Sequence, residues 1–281
     1  MILGFLGKGG SGKSTTATQM ALHMHARNFS VLAVDADHNM DFAYNIYHGD
    51  IPSDMHYFGG ALTYVLDHVG LASGEKYDRA FLGNTDARFH IFPHDACTQM
   101  LAHPVSDRFA CMAAGPQTDM VLYGQSCSHI LTTPLKVFLP LLELADNQVV
   151  IVDEKAGADG VSTGIVTGID VGIIVCEPAL HSIKIAQQIA DLMKFYETPY
   201  IFVGNKVSSD EDRAFLHKHF GDDMVYMIPT VAAMKQDPFA YHSELAPIYD
   251  AIYARATELN EQNRLERTTE KFMRNHSFQN T

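Results

Sequence analysis

Cysteine is scarce in this chain of 281 residues, which carries four. Cys97, Cys111, Cys127 and Cys176 fall at no paired spacing, and Cys176 lies inside an apolar run, as a small buried residue does. A disulfide framework is excluded, and the reducing cytoplasm is the expected compartment. Long apolar runs are missing too: none reaches the roughly eighteen residues of a membrane span, so no spanning helix is expected. Leu3 to Leu6 runs straight into a glycine loop, without the basic region and cleavage site of a secretion signal. Cations are in deficit. With Lys+Arg 20 against Asp+Glu 33 the net charge is −13, which opposes approach to DNA or to an anionic bilayer. Neither nucleic acid nor membrane is an expected partner.

Core material is plentiful, at 47% hydrophobic residues with 11 prolines. Short runs, most of them apolar on both faces, recur at 2–6, 30–35, 88–92, 108–114, 148–153, 171–177, 200–205 and 224–228, as buried parallel strands do. Between them lie helical spacings: Ala17, Met20, Ala21 and Met24, then Ile185, Ile189 and Leu192. Leu245, Ile248, Tyr249, Ile252, Tyr253 and Leu259 form one further helical face. Strand–helix–strand succession implies right-handed crossovers. The expectation is one α/β domain over residues 1–281, a doubly wound, mostly parallel sheet. Residues 42–87 lack steady periodicity and are expected as loops and short helices inserted over the sheet's edge or ligand face. From Arg264 the chain turns polar and is expected to fray.

The stretch GFLGKGGSGKST, residues 4–15, carries the chemistry. Gly7, four residues, then Gly12-Lys13-Ser14 is a Walker A pattern, with a strand before it and a helix after it. Its glycines (Gly7, Gly9, Gly10, Gly12), with Ser11 and Thr15, let backbone N–H groups wrap a phosphate. Lys13 reaches the β- and γ-phosphates, and the Ser14 hydroxyl binds Mg²⁺. Asp35 and Asp37 end a strand at the edge where a nucleotide would lie, placed to hold metal-bound water or orient an attacking water. QVVIVD ends in Asp153, the Walker B arrangement that holds Mg²⁺ through water. Asn205, followed by Lys206, ends another strand with an amide suited to adenine's edge, and Pro229 ends the next near the same rim. Lys8 has no role in a simple phosphate loop.

KGGSGKST resembles the deviant Walker A loop, KGGxGK[ST], of the ATPase class that includes the MinD and ParA positioning proteins, the nitrogenase iron protein, the arsenical pump ATPase and the carbon monoxide dehydrogenase maturation ATPases. The resemblance implies a P-loop NTPase fold of the nitrogenase iron protein-like type. It also implies that Lys8 crosses a homodimer interface to the partner's ATP, that Asp37 activates water, and that Asp41 is a second acidic residue near Mg²⁺. His38 stands where the class usually has proline.

Within the class, LAVDADHN, DEKAG and IIVCEPALHSIKIAQQIADL resemble the CooC-type nickel-insertion ATPases of carbon monoxide dehydrogenase, over residues 1 to about 245. Glu154 is displaced by one from that family's glutamate, with Lys155 in its place. The family contributes C-x-C from each subunit to a shared metal ion. Here Cys127-Ser128-His129 precedes a helix expected from Thr133-Pro134, and a twofold axis would make the set Cys₂His₂, suited to Zn²⁺ or Ni²⁺. The implied function is a dimeric Mg·ATP-dependent ATPase serving a client metalloenzyme. A reductase with a shared [4Fe–4S] cluster is excluded, because residues 154–170 contain no cysteine. The alternative is a ParA- or MinD-like positioning ATPase, for which Arg264, Arg267, Lys271 and Arg274 would have to form a membrane-surface stripe. Glu266 and Glu270 interrupt it, and a solvated terminal helix is expected instead.

Overall fold

The computed structural model describes residues 1–70, 79–125, 127–224, 226–237 and 239–279. Among the described residues ten strands follow in chain order: β1 (Ile2–Gly7), β2 (Ser30–Asp35), β3 (Phe89–His90), β4 (His103–Ser106), β5 (Phe109–Ala113), β6 (Leu142–Glu143), β7 (Gln148–Asp153), β8 (Val171–Cys176), β9 (Tyr200–Val207) and β10 (Tyr226–Pro229). Eight form one sheet in the order β10-β9-β8-β1-β7-β2-β5-β4. All its neighbours are parallel except the β4–β5 pair. This is the α/β fold of a P-loop NTPase, with β1 in the middle and its carboxyl end where the strand order reverses.

Each central strand is buried on both faces, and the period of two divides its residues between two cores. Ile2 and Leu6 of β1, Val150 and Val152 of β7, and Ile174 and Cys176 of β8 belong to one. Leu3 and Phe5, Val149 and Ile151, and Ile173 and Val175 belong to the other. The second core is closed by helix Lys13–Ala26 through Ala17, Met20, Ala21 and Met24, and by helix Ala246–Leu259 through Tyr249, Ile252 and Ala256. The first is closed by helix Leu180–Phe195 through Ile183, Ala186, Ile189 and Met193. Each large side chain so buried contributes about 1.5–3 kcal/mol, which fixes the helix after the glycine loop against the sheet.

Three expectations are corrected. Residues 88–92 do not add a strand to the main sheet; Phe89–His90 pairs with Leu142–Glu143 in a separate two-stranded sheet. The sheet's edge is β4, whose Pro104 and half-exposed alternation suit an edge strand. The helix expected from Thr133-Pro134 is present as a single turn, Leu135–Phe138, with Pro134 at its N-cap. The tail does not fray at Arg264, because Arg264–Gln279 is a helix docked on the body. Arg264 donates to Leu139 O at 3.1 Å and pairs with Asp170 at 3.3 Å. Arg267, 5% exposed, donates to the carbonyls of Thr167 and Ile169. Lys271 pairs with Glu197 and lies 4.1 Å over the Phe195 ring. The basic stripe thus faces inward, where carbonyls and acids need donors; the Arg274 side chain lies outside the described residues. In the 42–87 stretch the helices are short, Asp41–Ile46, Phe58–Gly60, Leu62–His68 and Arg79–Asn84, and residues 71–78 lie outside the described ones.

Candidate functional site

The carboxyl edge of the sheet gathers the predicted residues. Register sets Phe5 of β1 and Asp35 of β2 beside Asp153 of β7, and Gly7 beside Val175 of β8. A Cβ on Gly7 would stand 2.5 Å from Val175 O, so only glycine lets β1 turn there. Gly12 has φ +89, and a Cβ on it would meet the Asn205 amide. The loop then enters helix Lys13–Ala26, whose first N–H groups and dipole face the space an anion would fill.

Lys13 is 5% exposed, and its ammonium donates to Asp153 Oδ1 at 2.5 Å. Asp153 is fully buried, and burial pushes its carboxyl up despite the charge and hydrogen bond of Lys13. Its Oδ2 is buried without a hydrogen-bond partner. That orphaned acceptor beside the Ser14 hydroxyl, with Asp37 near enough to act on the Asp153 carboxyl, is a donor set of hard oxygens that fits Mg²⁺. Asp37, 8% exposed, accepts from Asn39 N at 3.2 Å and faces His38 Nδ1 at 3.3 Å. Asp35 sits deeper than expected of a ligand. Its two oxygens accept from Asp37 N at 3.0 Å and Ala43 N at 2.8 Å, and burial, then the Asp153 charge, pushes it up to about 8. In this geometry Asp35 organises the loop that carries Asp37, while Asp41 stands exposed at the start of helix Asp41–Ile46.

A polar cleft of about 670 Å³ opens over the loop, lined by Lys8, Lys13, Ser14, Asp37, Asp41 and Lys206, with Asn39, Tyr44 and Asn45 on its outer wall. A second cavity of about 260 Å³ shares Gly12, Thr15 and Lys206 with it and is more apolar, lined by Asn205, Pro229, Thr230, Val231 and Met234. A charged cleft joined to an apolar slot matches a phosphate chain joined to a base. Asn205 also braces the loop, donating to Ser11 O at 2.9 Å. Lys8 stays at the rim, 3.6 Å from Glu177 in its own chain.

Cys127 and His129 are brought together, Sγ to Nδ1 2.8 Å, at the exposed start of the one-turn helix Ser128–Thr132. Among the described residues no group of three His, Cys, Asp or Glu can hold a metal. A tetrahedral ion with bonds of about 2.3 and 2.05 Å would set such donors roughly 3.6 Å apart, so the pair would have to open. Lys155 ties this segment to the Walker B loop, donating to Ser128 Oγ at 2.7 Å, and Gly157 N donates to Gly7 O at 2.9 Å. Sequence reasoning gave no role to two buried or bridging acids, Glu154 and Glu177. Glu154 is 1% exposed with Oε1 unpartnered, and burial pushes it up to about 8. The position of both just past a central strand's carboxyl end was the available signal.

Comparison with known proteins follows this geometry. The family described as the CobQ/CobB/MinD/ParA nucleotide binding domain matches residues 5–238. An uncharacterised ATP-binding protein of Methanocaldococcus jannaschii is 26% identical over 230 residues, 82% of this chain and 88% of that protein. The carbon monoxide dehydrogenase accessory protein CooC of Rhodospirillum rubrum is 24% identical over 221 residues, 77% of this chain and 78% of that one. A putative plasmid partition protein of Borrelia burgdorferi, solved with AMPPNP, superposes with a TM-score of 0.59 at 14% identity, covering 92% of this chain and 98% of that one; this likeness concerns the fold alone. The chain belongs to the CobQ/CobB/MinD/ParA nucleotide-binding domain family.

Proposed function

We propose that this protein is a Mg·ATP-dependent ATPase that works as a homodimer and serves the maturation of a metalloenzyme. The observation that carries the ATPase reading is the buried Lys13–Asp153 contact at the mouth of the joined cleft and slot, with the unpartnered Asp153 Oδ2 beside Ser14. Lys13 exchanges Asp153 for the β- and γ-phosphates of ATP, and the freed Asp153 carboxylate with the Ser14 hydroxyl would hold Mg²⁺. When bound there, Mg²⁺ would supply neutralisation of the charge that develops on the phosphates. Asp37, held in place by Asp35, accepts a proton from the attacking water and aims it at the γ-phosphorus. Asn205, Pro229 and Val231 seat the base. Lys8 adds positive charge to the partner's γ-phosphate.

The metallochaperone part of the reading rests on the likeness to CooC and on Cys127 and His129 standing side by side with two donors per chain. A second subunit completes a four-donor site, and its geometry changes when the nucleotide changes the dimer, so the ion is held in one state and passed to the client in another. A positioning role finds no support in the tail, since Arg264, Arg267 and Lys271 face inward.

The test is the Asp37→Ala variant. It is expected to keep MgATP binding, to lose turnover by about 10²–10⁴-fold, and to accumulate as an ATP-bound dimer in sedimentation velocity. Adding Lys8→Ala is expected to return it to monomer. Turnover at the parent rate in Asp37→Ala, or an undiminished dimer with Lys8→Ala, would overturn the reading.

A further inference from the structure

β8 ends at Cys176, and the next residue, Glu177, projects beyond the sheet beside the phosphate loop. Its backbone is pinned, with Glu177 N donating to Ser182 Oγ at 3.1 Å and Glu177 O accepting from Ala179 N at 2.7 Å. Its side chain is 21% exposed and lies between two lysines: Oε1 is 3.6 Å from Lys8 Nζ, and Oε2 is 3.1 Å from Lys206 Nζ. Each lysine also donates to a carbonyl of the loop, Lys8 to Gly9 O at 3.1 Å and Lys206 to Gly10 O at 2.5 Å. One carboxylate therefore gathers the two ammonium groups at the rim of the cleft.

We infer that Glu177 is the positioning residue of Lys8, a counter-ion in the same chain that parks this lysine in the monomer and competes with the partner's phosphate for it. The inference rests on the homodimer reading above. Lys8 has one ammonium, and an ion pair with Glu177 and a contact with a phosphate in another subunit exclude each other. Lys206 lets the arrangement switch without stranding a charge. When Lys8 leaves, Glu177 keeps Lys206 as partner, so the carboxylate beside an anionic nucleotide remains neutralised. Both lysines are partly solvated, at 29% and 49% side-chain exposure, which places the contact among exposed pairs that shift an equilibrium by a few-fold. That size suits a latch that partner and nucleotide together can open.

The experiment is Glu177→Gln in the Asp37→Ala chain, measured by sedimentation velocity with MgATP. The dimer dissociation constant is expected to fall about two- to fivefold. The same substitution added to Lys8→Ala is expected to restore none of the lost association. A general field effect of removing a carboxylate near phosphates is separated by fluorescent MgADP titration of dilute monomer, with and without Lys8. If nucleotide affinity rises there by the same factor in both backgrounds, the charge acts on the nucleotide and the inference is overturned. A weaker dimer with weaker MgADP binding would mean that Glu177 only braces the loop, and an unchanged dimer constant would mean that it does not restrain Lys8; either overturns the inference alone. If the Asp37→Ala parent forms no dimer with ATP, the competing contact does not exist, and both the inference and the dimeric reading fall.

Discussion

The phosphate loop and the Cys127 segment carry the two halves of the proposed activity, and they are built differently. The loop is clamped between buried strands whose register sets Asp35 against Asp153, and its working lysine is 5% exposed. Asp119–Leu122 and Ser128–Thr132 are one-turn elements, and Leu122, Tyr123 and Ile130 are exposed at 65%, 78% and 44%. Cys127 and His129 pair with each other there. A site with its donors buried and preset is ready to receive a phosphate in one chain. A site with one exposed and one half-buried donor that pair with each other is open to more ligands. The contrast separates what one subunit can do from what needs two.

The sharpest way to break this contrast is Lys13→Ala. It is expected to abolish MgATP binding in calorimetric titration and, by leaving Asp153 buried without its cation, to lower unfolding stability in urea by about 3–5 kcal/mol. Next in size is a pH effect confined to the loop side. Glu154, pushed up to about 8 by burial, binds its proton more tightly folded than unfolded. Its contribution is complete below about pH 4.5 and is lost as pH rises through the folded value. In nucleotide-free protein, Glu154→Gln is expected to flatten the decline in stability between roughly pH 4.5 and 8 and to gain on the order of 2–4 kcal/mol over the parent near pH 8. A decline as steep as the parent's would mean that Glu154 ionises freely. The smallest effect on stability belongs to the other region. Cys127→Ser and His129→Ala are expected to change stability by less than about 0.5 kcal/mol, while each removes the single transition-metal ion that the dimer binds in metal analysis. Unchanged metal content in both would dissociate the segment from any metal.

The sequence announced the nucleotide side more clearly than the other, for a physical reason. A strand that ends in glycines and turns into a helix, or that ends in aspartate, is local, and GKGGSGKST and QVVIVD state it within ten residues. The carboxyl-edge position of Asp37, Asp153 and Asn205 follows from strand order alone. Features that depend on distant partners were not legible. Residues 88–92 read as a strand, but Phe89–His90 pairs only with the short Leu142–Glu143, some fifty residues on, and Ile91 makes an isolated bridge to His94. Arg264 and Arg267 looked solvated because their acceptors, Leu139 O, Asp170 and Thr167 O, lie roughly a hundred residues away. Lys8 was conspicuous in the loop, whereas its companion Glu177 emerges only once β8 is laid beside β1.

The Lys13–Asp153 contact bears on the end of a catalytic round as well as its beginning. Because the ammonium is paired with Asp153, nucleotide would not simply add to the site; it would displace a carboxylate. The reverse exchange is then available once the γ-phosphate is gone. ADP offers Lys13 less negative charge than ATP, and Asp153 is waiting 2.5 Å from where the lysine rests without ligand. On the proposed reading the chain carries its own competitor for the spent nucleotide, which would favour departure of ADP.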